Sequence, residues 1–507
     1  MNAMNIMKYF LMAGIATILL SCNDWLDVKP TSQLDREDLL ASESGFAEAL
    51  TGVYANMTKP ELYGRELTWG TLDVLAGVYY RGAMSGGRYV DMYDFKYKRD
   101  NSGYSENTAA TIDEIWNSMY TQIANINALL DVIDGKKNVF SGDNYSIIKG
   151  EAIGLRAFLH FELLRMFGPS HAADGQGETL AIPYVDKLST SVTPLMSVDS
   201  VLNRVITDLK EARQLLENDP MHLNTAPGAV LAPLPDESYL SNGIPVWHNR
   251  RFCFNYYAAV ATLARAYLWK DDKPAALAAA LEVIADQETR FSWLNDANVT
   301  TVGGTRKNQD RTFATEHIFA MNIVDINDYM DGYCYFGESA WAESYLAPNA
   351  FLQWGDIFEG STDFRQLYLK TTVSGNAYSN KYWQTGAVYS FFQERVPLIR
   401  ISEMYYIAAE CEADPATART YLEAVRSHRG LSSMPLGANI GRSELDAEIK
   451  KEYRKEFIGE GQLWYYYKRH DVDFTDGYQQ YMHGIGTFTD KNLYVFDRPD
   501  DEDGNRQ

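Results

Sequence analysis

Ala152-Ile153-Gly154-Leu155-Arg156-Ala157-Phe158-Leu159 and Ala261-Thr262-Leu263-Ala264-Arg265-Ala266-Tyr267-Leu268 are one pattern written twice, Ala-x-x-x-Arg-Ala-aromatic-Leu, at an offset of 109 residues. A second echo links Pro274, Leu281 and Glu282 to Pro415, Leu422 and Glu423, at an offset of 141. In both echoes proline stands where a helix starts, a place where its missing N–H costs nothing. Small alanines follow and let a partner helix approach. Helix, tight turn and alanine-rich helix is the build of a tetratricopeptide-type hairpin, whose period is about 34 residues. Four pairs are predicted: 42–57 with 108–134, 145–167 with 198–217, 252–270 with 274–286, and 398–412 with 415–428. Long insertions separate them, so the chain is no plain solenoid.

Apolar spacing supports each helix. Phe46, Leu50, Val53, Tyr54 and Met57 form one stripe on a 3.6-residue period, and Lys59-Pro60 ends it. Thr111 and Glu114 fit a capping box ahead of Ile115, Met119, Ile123, Ile126 and Leu130, on a helix running to Gly135. The next helix stops at Gly168-Pro169, and Asp219-Pro220 closes the one after it. Ser443–Arg469 reads as a further helical stretch. Tyr63–Asn107, Met221–Arg250 and Arg290–Phe392 lack a sustained helical period, and Pro499–Gln507 reads as an acidic, disordered tail.

At the N-terminus, Lys8 precedes a mostly apolar run from Tyr9 to Leu20, the order of a secretory signal peptide. The run is shorter than the roughly 20 residues that span a bilayer. It ends at Leu19-Leu20-Ser21-Cys22, which reads as a bacterial lipobox, so residues 1–21 are expected to be removed and Cys22 acylated. Each buried methylene of a lipid chain contributes about 0.8 kcal/mol, enough over several chains to anchor the protein without a spanning helix.

Formal net charge is −22, which excludes nucleic acid as a natural partner because phosphate binding calls for a basic face. Beyond Cys22, the cysteines Cys253, Cys334 and Cys411 are odd in number and widely spaced, with no C-x-x-C, and read as small buried apolar residues. None of the eight histidines forms H-E-x-x-H or an i, i+4 pair. His160-Phe161-Glu162 imitates the H-x-E of zinc deaminases without the P-C-x-x-C partner, so it reads as structural. There is no G-x-S-x-G, and Gly86-Gly87 and Gly303-Gly304 lack a following Lys-Ser or Lys-Thr. Asp325, Asn327 and Asp331 miss the ligand pattern of a calcium loop. No catalytic residue, metal site or cofactor is therefore assigned.

Aromatic residues, with 34 Tyr and 10 Trp, concentrate in two aperiodic segments. Tyr329–Trp354 holds eight aromatics, among them Tyr333, Tyr335 and Trp341. Trp69–Tyr104 adds Tyr80, Tyr93 and Tyr97, interleaved with Arg81 and Asn101. A sugar ring has an apolar C–H face and a belt of hydroxyls. Flat rings beside polar side chains suit both, so these eight residues are the candidate ligand contacts. A stacked ring that removes roughly 80 Å² of apolar surface contributes about 2 kcal/mol.

Four places resemble the SusD/RagB family of outer-membrane nutrient-binding lipoproteins of Bacteroidetes. They are Cys22–Pro30 with its acidic patch; Glu151–Gly168 with Ile182-Pro183; Val396–Tyr405 through Glu410; and Glu452-x-x-x-Glu456-Phe457-x-x-Glu460-Gly461 with Trp464 and Lys468-Arg469. Gln462 and His470 depart from the family's usual residues. The resemblance implies a mainly α fold, a SusD-like α/α superhelix in which four tetratricopeptide-like pairs scaffold a loop-rich, irregular ligand-binding half. It implies one body over 22–507, with 22–220 and 252–507 as intertwined N- and C-terminal regions. It also implies a non-enzymatic surface lipoprotein of the cell outer membrane that passes oligosaccharide to a SusC-like TonB-dependent transporter. A peptide-binding relative and a glycoside hydrolase are the rival readings.

Overall fold

The computed structural model describes residues 36–79, 87–100, 103–170, 176–189, 191–223, 250–294, 310–324, 326–330, 358, 362–373, 376–379, 381–382, 394–472 and 491–504. Ten longer helices build the frame. They are α1 (Glu43–Met57), α2 (Glu106–Ile133), α3 (Asn144–Phe167), α4 (Val198–Leu215), α5 (Tyr256–Trp269), α6 (Lys273–Ala285), α7 (Ile401–Cys411), α8 (Pro415–Arg426), α9 (Arg442–Glu456) and α10 (Gln462–Arg469).

The four expected pairs form: α1 packs on α2, α3 on α4, α5 on α6 and α7 on α8. Successive pairs touch through α2 and α3, α4 and α5, and α6 and α7, which makes one continuous superhelix. Helix starts follow local chemistry. Ser42, Ser197, Asn255, Asp272 and Asp414 each accept a first-turn backbone N–H through the side chain, and α6 and α8 carry proline in their first turn. From Gly150 to Phe167 every residue of α3 is buried, so this helix is the axis around which the others lie.

Three short antiparallel ribbons join the helices: β1 (Leu180–Pro183) with β2 (Leu195–Ser197), β3 (His317–Asn322) with β6 (Arg395–Arg400), and β4 (Lys370–Val373) with β5 (Asn376–Ser379). In the second, Asn322 lies opposite Arg395, so the chain between them starts and ends at one place.

Four boundaries differ from expectation. α2 begins at Glu106, ahead of the Thr111 capping box, because its first turn is mostly polar and carries no stripe to read. α5 begins at Tyr256, where Asn255 caps it, and residues 250–252 form a separate turn. Residues 398–400 belong to β6 and not to the following helix, since Arg395–Arg400 is buried throughout, as an element covered on both faces must be. Ser443–Arg469 is two helices, broken at Phe457–Gly461, where Gly459 and Gly461 take φ of +83° and +69°. A Cβ at Gly461 would lie 2.3 Å from the Leu67 carbonyl oxygen, so both conformation and space demand glycine there. Asp73, in a short helix at Thr71–Leu75, accepts the Gly459 and Gly461 N–H groups at 2.6 and 3.0 Å and pins this turn. The acidic tail is also more ordered than expected: Asp500–Gly504 is helical, and Arg99 pairs with Asp500 at 2.8 Å.

Candidate functional site

The frame is stiffened by charges that the hydrophobic pattern does not announce. The repeat arginines both reach buried carboxylates: Arg156 donates to Asp208 at 2.6 Å, and Arg265 to Glu403 at 2.7 Å and to the Leu398 carbonyl. Tyr184 also donates to Asp208, at 2.8 Å. Arg156 thus ties α3 to its own partner α4, while Arg265 ties α5 to the neighbouring pair.

A larger assembly lies under β3 and β6. Glu456 accepts from Arg365, Arg400 and Arg429, and Glu452 from Arg365, Arg426 and Lys455. Glu460 accepts from Lys381 and Arg400, and Glu316 from Arg429 at 2.6 Å. Burial pushes the Glu452 and Glu456 carboxyls up, but the surrounding guanidinium groups more than offset it and hold both below the usual carboxylate range. The three motif acids Glu452, Glu456 and Glu460 are therefore structural anchors, each with both oxygens engaged by buried cations. They fix the point from which the 323–394 excursion departs.

His160 sits between two fixed partners. Its Nδ1 lies 2.9 Å from the Arg156 carbonyl, and its Nε2 accepts the Val185 N–H at 2.9 Å, which fixes a neutral tautomer. Burial brings its pKa down to about 3. Cys411 is buried, with its thiol pushed up to about 12, while Cys253 is partly exposed; Cys334 lies outside the described residues.

Of the candidate ligand contacts, Tyr80, Arg81, Asn101, Tyr333, Tyr335 and Trp341 lie outside the described residues, as do Cys22, the signal segment, Asp325 and Asp331. Tyr93 and Tyr97 are described, and neither offers a face to a ligand. Tyr93 is 0% exposed and Tyr97 1%, with its hydroxyl on the Leu493 carbonyl and its ring edge-on to Phe496 at 5.3 Å. Trp69, Tyr79, Tyr89 and Phe95 are buried as well, and only Tyr104 is exposed. The described aromatics of the first segment are thus core, apart from Tyr104 at its end. It folds as short helices, Thr71–Leu75 and Arg88–Tyr93, too brief to show a period in the sequence. In the second segment, Tyr329 is partly buried against the core.

A cavity of about 530 Å³ lies beside Lys98–Asp100. Its walls are the end of α3 with Pro169 and Ser170, the rim residues Gln176 and Thr179, Lys468 of α10, and the C-terminal segment 494–500. That segment is clasped by Lys98, which donates to the Val495 carbonyl at 3.0 Å, and by the Arg99 N–H, which donates to Asp497 at 2.9 Å. Sequence reading did not find this site, because its parts come from four distant segments. Among the described residues no helix is long and apolar enough to cross a membrane, and no group of three His, Cys, Asp or Glu is placed to hold a metal ion.

Comparison with known proteins matches both halves. Residues 24–234 fit a SusD-like family described as "starch-binding associating with outer membrane", and residues 290–506 fit the SusD family. SusD-like protein P2 of Formosa agariphila is 23% identical over 235 residues, which is 44% of this chain and 41% of that protein. The match thus spans less than half the length of that relative. A solved SusD superfamily protein of Bacteroides thetaiotaomicron superposes with a TM-score of 0.67 at 21% identity, covering 92% of this chain and 98% of that one. A SusD-like carbohydrate-binding protein of Bacteroides vulgatus superposes at 0.66 and 18%, covering 92% and 96%. With matches over both halves, four helix pairs in sequence order and this common fold, the chain belongs to the SusD/RagB family.

Proposed function

We propose that the protein is a surface lipoprotein of the outer membrane, anchored through Cys22, that captures an oligosaccharide and passes it to a SusC-like TonB-dependent transporter without cleaving it. The reading is carried by one observation: the aromatic-rich stretch 329–354 lies in sequence between β3 and β6, whose paired ends Asn322 and Arg395 sit on a rigid, ion-paired base. That is where a binding surface can vary while its mounting stays fixed. Tyr333, Tyr335 and Trp341 are the proposed platforms, with Tyr80, Arg81 and Asn101 completing the contact. Two or three stacked rings at about 2 kcal/mol each, less the cost of lost motion, give millimolar to micromolar affinity, suited to cargo that must be released. The sugar-binding description of the Bacteroides vulgatus neighbour supports this choice of ligand class.

Affinity electrophoresis on a panel of polysaccharides tests it. Retardation by a cognate glycan is expected, lost when Tyr333, Tyr335 and Trp341 are replaced together by alanine. Unchanged retardation moves the site elsewhere, and multiple-turnover release of reducing ends makes the protein a hydrolase.

A further inference from the structure

The cavity beside Lys98–Asp100 holds two polar groups that the family reading does not explain. Lys468 is buried at 2% exposure, and its ammonium donates to the Arg165 and Met166 carbonyls at 2.6 and 3.2 Å. Among the described residues no carboxylate lies within ion-pair distance of it, although the other cations of the cavity have acidic or carbonyl partners: Lys98 takes Asp497, Arg99 takes Asp113 and Asp500, and Arg498 takes the Ala181 carbonyl. Two carbonyls use two of the three ammonium donors and leave one. Ser170 Oγ, in the same wall, is buried with no hydrogen-bond partner among the described residues. In a native interior such a group ordinarily has a partner.

We propose that this cavity binds a monosaccharide-sized carboxylate, a uronic acid, with its carboxylate between Lys468 and Ser170. Two spare donors match the two oxygens of a carboxylate, whereas a phosphate or sulfate group carries three that need donors. The lining also holds Asp100, Asp471, Asp497 and Asp500, so a ligand of low negative charge, a monoanion, is favoured over a dianion. The volume lies within the usual range for small-ligand sites, and the walls are mixed: Phe167 and Phe496 are apolar, while Gln176 and Thr179 at the rim suit ring hydroxyls. Burial, with Arg165 and Lys98 nearby, holds the Lys468 ammonium well below the usual lysine range, a strain that an arriving anion relieves. The site is independent of the aromatic platforms.

Titration calorimetry of the purified protein with glucuronate and with glucose tests the proposal. Glucuronate is expected to bind at millimolar or lower concentration and glucose at least about tenfold more weakly, as a charge-assisted contact requires. Lys468→Gln should abolish the difference. Because Lys468 also caps α3 and its loss can unfold the chain, Ser170→Ala and the rim change Thr179→Trp provide the second arm, each expected to weaken glucuronate about tenfold or more. Absence of glucuronate binding, equal binding of glucose, or unchanged affinity in both Ser170→Ala and Thr179→Trp overturns the proposal. The triple alanine variant of Tyr333, Tyr335 and Trp341 should bind glucuronate normally, which separates failure here from failure of the platform reading.

Discussion

The α1–α2 pair buries Phe46, Leu50, Val53 and Met57 with Ile115, Met119, Ile123 and Ile126, whereas the region under β3 and β6 buries Arg365, Arg400 and Arg429 among Glu316, Glu452 and Glu456. The two interiors are equally closed to solvent, but they specify structure differently. Apolar side chains each contribute about 1.5–3 kcal/mol and tolerate shape-conserving exchange, because their attraction has no direction. A buried guanidinium adds little net stability over an apolar isostere, yet leaves a costly uncompensated charge when its partner is removed. The apolar pairs therefore make the frame, and the ionic region fixes where its excursions are mounted.

That contrast breaks most sharply at Glu456. Glu456→Gln removes the shared charge of three guanidinium groups and should cost about 4 kcal/mol or more in urea unfolding, with Leu50→Ala in the apolar pair costing about 3. If Glu456→Gln costs less than Leu50→Ala, the ionic region is not the stricter of the two. The repeat arginines sharpen the comparison. Arg265→Met strands Glu403 and should cost about 3 kcal/mol, while Arg156→Met should cost about 2, because Asp208 keeps the Tyr184 hydroxyl.

Acid provides a subtler probe. His160 stays neutral in the fold down to about pH 3, while the unfolded imidazole takes a proton near 6.5. Acidification thus favours the unfolded chain across that window, and the loss from pH 7 to 5 should be about 2 kcal/mol. The stability gap between wild type and His160→Gln should shrink by that amount; a constant gap would show that His160 is not held neutral. Glu452 and Glu456, held low in the fold, add their own loss only as pH falls below the ordinary glutamate value of 4.5. The smallest effect belongs to the surface pair Arg204–Asp186, each partner about 40% exposed: Arg204→Ala should change stability by less than about 1 kcal/mol.

The same contrast explains what could be read from the sequence. Apolar periodicity is local, so all four helix pairs were legible from stripes, caps and the Ala-x-x-x-Arg echo. Ionic partners are not local. Arg400 and Glu456 stand 56 residues apart and Arg429 and Glu316 113, so nothing in their neighbourhoods joins them. The cavity was hidden for the same reason, assembled from residues near 98, 170, 468 and 497. Tyr93 and Tyr97 were misjudged because an aperiodic, glycine-punctuated stretch looks like surface even when short helices turn its rings inward. The last three residues of β6 read as helix because Val396–Tyr405 runs without a break from one element into the next.

Asn322 beside Arg395 closes the base of the molecule's longest detour. Once two ends are held together, a doubling of the chain between them costs only about 0.6 kcal/mol of closure entropy. Insertions between the points where this stretch rejoins the frame, such as Met330 and Arg365, are therefore cheap to the fold, whereas Arg365 and Lys381 themselves are held by Glu452, Glu456 and Glu460. Length can thus vary between those ties while the chassis stays.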